Sequence, residues 1–268
     1  MNALTEVEGP RQSGEGRVLL EDDDDLTAQT SWAAAGYTVE RFLAPALCDT
    51  LRIGIRQHVF RVMNELGMRV KSHESLERYH VLIEHQRHLH GALVRQLNKI
   101  PFTRLPVSPP LIAERISDVC GIPLSLVNPH EGVPTPWASV FGIRIVRPRS
   151  TDHNPLHKDA WLPWLRNAVN LYVPIAGSNE RSSLCLVPGS HRWSEADIER
   201  TSSGAVVNGR HYTVPRLTSA RRPLAIIRPN PAQNEVLVFS PYLIHGGAVN
   251  LNPDITRVSL ELRLWRRH

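Results

Sequence analysis

The feature that most constrains the fold is a series of short apolar segments in the second half of the chain. Each segment is rich in leucine and β-branched residues, and proline, glycine or asparagine separates it from the next. The segments are residues 138–148 (ASVFGIRIVRP), 167–176 (NAVNLYVPIA), 182–190 (SSLCLVPGS), 235–247 (EVLVFSPYLIHGG) and 257–265 (RVSLELRLW). This spacing is typical of a β-sandwich or jelly roll rather than of an alternating βαβ fold.

The first half of the chain has a helical pattern. Pro45 suits the first turn of a helix, and the apolar residues that follow recur every three or four positions, on one helix face. That stripe consists of Leu51, Ile55, Val59, Val62 and Leu66. A further helix is predicted around residues 110–120, ending before Gly121 and Pro123. We interpret the stripe as core packing, with the helices covering one face of the sheet.

The chain shows no linker between these halves, so we expect one domain from residue 31 to residue 268. Its helical part covers about 31–125 and its jelly-roll core about 135–268. Residues 1–30 are expected to form a disordered tail, because they combine turn-forming glycines with the acidic run at 21–25. We interpret that run as a solvated, self-repelling segment rather than a cation site.

Composition excludes several classes of function. The net charge of +5 is spread along the chain, whereas a nucleic-acid-binding protein would concentrate it in a basic patch. The excess of positive charge is consistent with a small-molecule substrate that carries negative charge. Cys48, Cys120 and Cys185 form no CxxC pair, which argues against a disulfide framework and favours the reducing cytoplasm. The chain contains no membrane-length apolar run and no secretory signal, so no membrane partner is expected.

Two ligand-type residues stand close together just after Pro155. His157 and Asp159 are two positions apart, so on an extended segment both side chains face the same way, and Lys158 points outward. A third ligand must come from a distant strand. His245 is the best candidate, because it ends an apolar strand and glycines follow it. Two histidines and one carboxylate are typical of non-haem Fe(II) sites that bind a cosubstrate and O2 together.

Each part of this pattern has a simpler interpretation, since His157 and His245 could both be turn histidines without ligand roles. A rival cluster, His85, His88 and His90, also lies close together in sequence. We interpret that cluster as a polar helix face or loop, because the segment offers little of the geometry that a metal site needs.

A cosubstrate such as 2-oxoglutarate chelates iron through its keto acid and needs a cation for its far carboxylate. Arg257 follows His245 at a distance that allows one turn and a new strand. Arg257 and Ser259 alternate onto one face of that strand, so a guanidinium and a hydroxyl could hold the carboxylate together. In the simpler interpretation, Arg257 is a surface residue paired with a neighbouring carboxylate.

Longer motifs extend the pattern over most of the chain. Residues 36–52 (GYTVERFLAPALCDTLR), 154–162 (NPLHKDAWL), 183–193 (SLCLVPGSHRW) and 235–250 (EVLVFSPYLIHGGAVN) are the relevant stretches. In them the chain resembles the phytanoyl-CoA dioxygenase-like branch of the Fe(II)/2-oxoglutarate oxygenases. The resemblance implies a mainly β fold with flanking helices, namely a double-stranded β-helix (jelly roll, cupin-like). It also implies Fe(II) at His157, Asp159 and His245, 2-oxoglutarate at Arg257 with Ser259, and O2 as the oxidant.

The resemblance suggests further candidates around the cosubstrate. Tyr172 stands where relatives often carry tryptophan, so Tyr172 and Asn170 are candidates for the pocket wall. Arg144, on the preceding strand, is a candidate for the same space. His191 belongs to the family's PGSH motif, in which it has a structural role. The chain departs from the family at residues 180–182, where Glu-Arg-Ser replaces the Glu-Asn-Gly turn.

The implied reaction is hydroxylation of a small polar or anionic metabolite, coupled to decarboxylation of 2-oxoglutarate. Asp159 disfavours halogenation, since related halogenases lack this carboxylate. The same iron chemistry could instead give desaturation, cyclisation or epimerisation. Two rival functions are a cupin-like dioxygenase that needs no 2-oxoglutarate and a non-catalytic β-sandwich binding protein.

Two regions bear on the substrate. Residues 195–231 form a long loop-like segment, and such loops often act as lids. The segment contains Arg210, His211, Arg216, Arg221 and Arg222. An arginine-rich lid favours an anionic substrate, and a solvated basic loop is the alternative. Trp161 and Trp164 directly follow the metal motif, where they either face the substrate or pack.

Overall fold

The computed structural model describes residues 8–22, 24–98, 101, 104–129, 142–150, 152, 154–207, 210–246 and 249–267. Their helices are α1 (Pro45–Glu65), α2 (Tyr79–Leu82), α3 (His90–Leu97) and α4 (Pro109–Cys120). Their strands are β1 (Arg11–Ser13), β2 (Tyr37–Arg41), β3 (Leu124–Ser125), β4 (Gly142–Val146), β5 (Ala168–Ala176), β6 (Cys185–Leu186), β7 (Ile198–Thr201), β8 (Ala205–Val207), β9 (Arg210–Tyr212), β10 (Leu217–Ala220), β11 (Glu235–Phe239), β12 (His245–Gly246) and β13 (Arg257–Arg266).

The largest sheet has the strand order β2-β11-β5-β13-β3, with β4 also paired to β13. All of its pairings are antiparallel. Smaller sheets are formed by β1, β7 and β10, by β12 and β6, and by β8 and β9. The prediction of a mainly β jelly-roll architecture with flanking helices is confirmed. The described strands do not join into one continuously hydrogen-bonded barrel.

Helices cover one face of the large sheet. Helix α1 begins with Pro45 at its first turn, and its predicted stripe is buried from Leu51 to Val62, with Leu66 partly buried. Helix α4 ends at Cys120 and is followed by Gly121, whose φ of 70° is a left-handed conformation that glycine adopts without strain. The helices bury leucine, isoleucine and valine side chains against the sheet as one core. None of the described helices is both long and apolar enough to cross a membrane.

Strand β13 has two chemically different faces. Its even-numbered residues from Val258 to Leu264 are buried in the core beneath the helices. Its odd-numbered residues from Arg257 to Arg263 point to the opposite side, because side chains alternate along a strand. This inner side faces a cavity of about 540 Å³ that Arg257, Glu261 and Arg263 help to line. The sheet therefore separates a packed apolar layer from a polar interior.

The stretch expected to form a disordered tail is described at residues 8–22 and 24–30, where it contains strand β1, while residues 1–7 and 23 lie outside the described residues. Strand β1 pairs with β7, and Leu19 and Leu26 are buried, each with 4% of its surface exposed. In the acidic run, Asp24 accepts hydrogen bonds from Arg266, and Asp25 accepts one from the Thr27 hydroxyl. This segment is held in place by residues far along the chain, and its local composition gives no information about those contacts.

The segment at 195–231 also differs from expectation, because it contains strands β7 to β10 rather than a long loop. Strand β7 pairs with β10 inside the segment along one edge and with β1, from outside the segment, along the other. Strands of three or four residues are marginally stable in isolation and depend on pairing within a sheet. Their residues alone therefore predict strands only weakly.

Candidate metal centre

Backbone pairing brings the two halves of the predicted site together. The peptide groups of His157 and His245 exchange hydrogen bonds of 2.8 and 2.9 Å in an antiparallel bridge. A Cβ on Gly246 would lie 2.8 Å from the Asn154 carbonyl oxygen, so only glycine allows this close approach without displacement. Gly247 lies outside the described residues.

Three ligand-type atoms then converge at one point. One atom each from His157, Asp159 and His245 lies within 4.8 Å of the others, and all three side chains are buried. The Asp159 Oδ1 atom is 3.3 Å from Nε2 of His157 and 3.9 Å from Nε2 of His245. No other cluster of three such residues was found among the described residues.

Hydrogen bonds at the other ring nitrogens favour one tautomer of both histidines. Nδ1 of His157 lies 2.8 Å from the Pro155 carbonyl oxygen, and Nδ1 of His245 lies 2.9 Å from that of Leu243. A carbonyl can only accept, so each Nδ1 must carry the proton and donate it. Each Nε2 is then unprotonated, and its lone pair is free on the side of Asp159. An imidazole in this tautomer can bind a metal through Nε2.

Burial has opposite effects on the charges of the three groups. It is the main cause that lowers the pKa of His157 to about 3, and it also lowers the pKa of His245. Burial alone would raise the pKa of Asp159, but Arg263 and the histidines hold it well below the ordinary value. At neutral pH the site therefore presents two neutral imidazoles and one carboxylate, the protonation states that metal binding requires.

The second carboxylate oxygen of Asp159 is fully engaged by the protein. Oδ2 accepts hydrogen bonds from Nε and Nη2 of Arg263, at 2.9 and 2.6 Å, and from the Asn170 amide at 3.0 Å. Only Oδ1 is directed toward the histidines. Asn170, predicted as a pocket residue, thus lies in the cavity wall and positions Asp159. Arg263 was missed, because nothing in the sequence links it to a residue 104 positions away.

The residues predicted to hold the cosubstrate are buried beside this centre. Arg257 is 1% exposed, and its Nη1 donates to the Ser182 carbonyl at 3.1 Å. Its Nε and the Ser259 hydroxyl have no hydrogen-bond partner among the described residues. Such buried donors are costly unless a ligand satisfies them. A carboxylate is an acceptor that suits a guanidinium as well as a hydroxyl donor, and 2-oxoglutarate carries such a group.

The two remaining pocket candidates have protein partners. Tyr172 places its ring 5.8 Å from the Arg257 guanidinium carbon, and its hydroxyl lies 2.7 Å from that of Ser178. Arg144 lines the same cavity, but its guanidinium donates to Glu261 at 2.9 Å. Tyr172 thus lies beside Arg257, while Arg144 is neutralised by Glu261.

The expectation that Lys158 points outward is wrong. Its side chain is 0% exposed, and Nζ donates to Glu195 Oε1 at 2.7 Å. The indole of Trp161 donates to the other oxygen of Glu195 at 2.9 Å, and Trp164 packs against a small apolar cluster. Both tryptophans therefore serve packing, and neither is among the cavity-lining residues that the structure describes.

Other motif histidines also have structural partners. Nε2 of His191 lies 3.0 Å from the Ala33 carbonyl oxygen, and its ring leaves no room for a Cβ on Gly36. In the rival cluster, His85 and His88 are exposed, whereas His90 is buried between Tyr79 and Asp152. These contacts support the structural role of His191 and the rejection of a metal site in the cluster.

Comparison with known proteins agrees with this geometry. The sequence profile of the family described as phytanoyl-CoA dioxygenase (PhyH) matches residues 32–259. No curated protein sequence matches the chain significantly.

Solved structures show the same fold at low sequence identity. One is EctD from S. alaskensis with 2-oxoglutarate and 5-hydroxyectoine, at 13% identity and a TM-score of 0.50, covering 98% of this chain and 86% of that one. Another is SnoK, a non-heme alpha ketoglutarate dependent carbocyclase from nogalamycin biosynthesis, at 15% identity and a TM-score of 0.50, covering 94% and 87%. The non-heme monooxygenase ThoJ, at 13% identity and a TM-score of 0.51, covers 90% and 77%.

Proposed function

The chain belongs to the phytanoyl-CoA dioxygenase family and is an Fe(II)- and 2-oxoglutarate-dependent oxygenase, and we propose that it hydroxylates a small polar or anionic metabolite. His157, Asp159 and His245 hold the iron in this proposal. Arg257 binds the far carboxylate of 2-oxoglutarate, with the Ser259 hydroxyl as a second donor. One observation carries the proposal: three ligand-type atoms converge at one buried point, and Arg257, whose Nε has no partner among the described residues, lines the same cavity.

When bound, iron and 2-oxoglutarate supply the oxidising chemistry, in which O2 is consumed and succinate and CO2 are released. His157, Asp159 and His245 would hold the metal, and two histidines with one carboxylate are a ligand set that suits Fe(II) binding together with a cosubstrate and O2. The carbonyl contacts of His157 and His245 set the ring tautomers. The contacts of Arg263 and Asn170 direct one oxygen of Asp159 to the centre.

The walls of the cavity serve the same chemistry by limiting water. Tyr172, Leu184 and Phe239 line it and are at most 4% exposed. Exclusion of water protects reactive species from side reactions and strengthens the electrostatic contacts of the site.

Asp159 argues against halogenation. Its side chain is 1% exposed and held by three hydrogen bonds, so a carboxylate occupies the position that halide ligation would need. Desaturation, cyclisation and epimerisation would use the same centre and are the alternative outcomes.

The test is anaerobic binding of Fe(II) and 2-oxoglutarate, followed by the visible charge-transfer band of the chelate. Wild-type protein should give the band, and Arg257→Ala should need about tenfold or more 2-oxoglutarate, because a charged hydrogen bond is lost. The exposed Arg221 gives a matched control, since Arg221→Ala should titrate as wild type. Absence of the band, or an unchanged titration for Arg257→Ala, would overturn the assignment.

A further inference from the structure

Arg216 is a buried arginine that the proposed reaction does not use. It precedes β10 and lines the cavity beside the metal centre, with 2% of its surface exposed. Its Nη2 donates to the Asn154 side-chain oxygen at 2.7 Å, and its guanidinium carbon lies 4.7 Å from the centre of the Tyr212 ring. Its Nε and Nη1 find no hydrogen-bond partner among the described residues.

Three other arginines, on strands that line the cavity, have assigned partners. Arg144 pairs with Glu261, and Arg263 pairs with Asp159. Arg257 is the proposed partner of 2-oxoglutarate. The guanidinium of Arg216 instead contacts a neutral amide and an aromatic ring, which satisfy only part of its hydrogen-bonding capacity.

A buried guanidinium without a paired carboxylate is unfavourable. Burial lowers the pKa of Arg216 to about 9, so the group still carries its proton near neutral pH. The cost of burying such a charge falls when an anion binds in hydrogen-bonding geometry. Arg216 therefore has the properties of a ligand-binding residue rather than of a structural ion pair.

The backbone around Arg216 is held rigidly against the metal segment. Its amide donates to the Thr201 hydroxyl at 3.0 Å, and its carbonyl accepts from the Thr201 amide at 3.0 Å. The next amide, of Leu217, donates to the carbonyl of Leu156 at 2.8 Å, beside His157. Because the guanidinium is positioned before any ligand arrives, binding costs little further ordering.

We propose that Arg216 binds a carboxylate of the primary substrate and so orients that substrate toward the metal centre. This deepens the proposed function and rests on it, since the carboxylate would share the cavity with iron and 2-oxoglutarate. Of the arginines in the segment expected to form a lid, Arg216 is thus the one assigned to the substrate.

The experiment uses full-length protein with Fe(II) and 2-oxoglutarate under anaerobic conditions, studied by titration calorimetry. The probes are acetate, butyrate, hexanoate and benzoate, each paired with its neutral amide. Wild-type protein should bind at least one carboxylate about tenfold more tightly than the matching amide, or more. Arg216→Gln should abolish that preference and leave 2-oxoglutarate affinity within about twofold, while exposed Arg221→Gln retains the preference.

A second variant covers the case in which Arg216→Gln fails to fold. Asn154→Asp places a protein carboxylate at the atom that Nη2 already contacts, so it should neutralise Arg216 and abolish carboxylate binding in a folded protein. Three results would overturn the inference. They are equal binding of every acid and amide by wild type, an unchanged preference in the two variants, and a loss of 2-oxoglutarate affinity in Arg216→Gln equal to that in Arg257→Ala. Failure of the proposed function is distinguishable, because wild type would then lack the charge-transfer band altogether.

Discussion

The two faces of β13 belong to two regions that stabilise the protein in different ways. On the outer face, Leu260 and its neighbours are buried among helix side chains, where stability depends on volume and packing. On the inner face, Arg257 to Arg263 meet carboxylates and candidate ligand positions, where each group depends on a specific partner. The difference shows that a largely buried strand can alternate apolar and polar residues when one of its faces lines a cavity.

The largest expected effect is at the metal centre of the inner region. His157→Ala removes one of three ligands, so tight Fe(II) binding should be lost, with affinity falling on the order of a hundredfold or more. Iron content after desalting measures this, and circular dichroism should show that the variant is folded. His85→Ala, in the rejected histidine cluster, is the matched control and should bind iron as wild type. Stoichiometric iron in His157→Ala would place the site elsewhere.

The second prediction concerns Asp152, a buried carboxylate at the cavity whose ion pair we expect to contribute strongly to the free energy of unfolding. Arg147 donates to both of its oxygens, and Nε2 of His90 lies 3.3 Å from Oδ1. Burial alone would raise the pKa of Asp152, but these partners hold it well below the usual range. Asp152→Asn should lower the free energy of unfolding at pH 7 by about 3–5 kcal/mol, since it breaks a buried ion pair.

The pH dependence has a definite sign. A carboxylate with a depressed folded-state pKa contributes stability above its unfolded-state pKa of about 4, and that stability is lost as the pH falls below it. The difference between wild type and Asp152→Asn in urea unfolding should therefore shrink below about pH 4. Exposed Asp118→Asn should differ little from wild type at either pH. A difference that is the same at neutral and at acid pH would contradict this account.

Leu260→Ala tests the outer region. Leu260 is 0% exposed beneath the helices, so truncation should cost about 3 kcal/mol of unfolding free energy through lost burial and a cavity. Fe(II) affinity, measured by chelator competition, should stay within about twofold, because the change lies on the far face of the strand. Comparable losses of iron affinity and stability would show that the two faces are not independent.

The smallest of these effects is expected at Arg263, which acts on iron through Asp159. Arg263→Gln should weaken Fe(II) binding about 10- to 100-fold, since it removes the contacts that orient the ligand carboxylate. Arg263→Lys should recover part of that affinity but lack the paired contact. Chelator competition measures both variants, and wild-type affinity in Arg263→Gln would show that Asn170 alone orients Asp159.

Much of the fold was predictable because its signals are local. Pro45 and Gly121 mark helix ends through their own backbone preferences, and the apolar stripe of α1 needs only the helical period. The family was predictable from short motifs such as PGSH, and the profile match confirms it. The tail at 8–30 was not predictable, because its order depends on pairing with β7, nearly two hundred residues away.

In the candidate site, too, some features could be predicted from local sequence patterns and others depend on distant residues. Two-residue spacing was enough to place His157 and Asp159 on one segment, and the position of His245 at a strand end made it the best third residue. The hydrogen-bond partners of the polar groups in and around the site could not be predicted from the sequence. They are Glu195 for Lys158, Arg263 for Asp159 and Asn154 for Arg216. Each pairing joins side chains 37 to 104 positions apart, and nothing in either local pattern records it.

By itself, the sequence determined the main helices and the core strands, the family, and the residue types able to bind iron and an anionic cosubstrate. These depend on backbone preferences and side-chain chemistry, which each short stretch carries with it. Only the tertiary structure decided which face of β13 lines the cavity, and which arginines find carboxylates inside it. The physical reason is that burial and ion pairing belong to pairs of distant residues, so they exist only once the chain has folded.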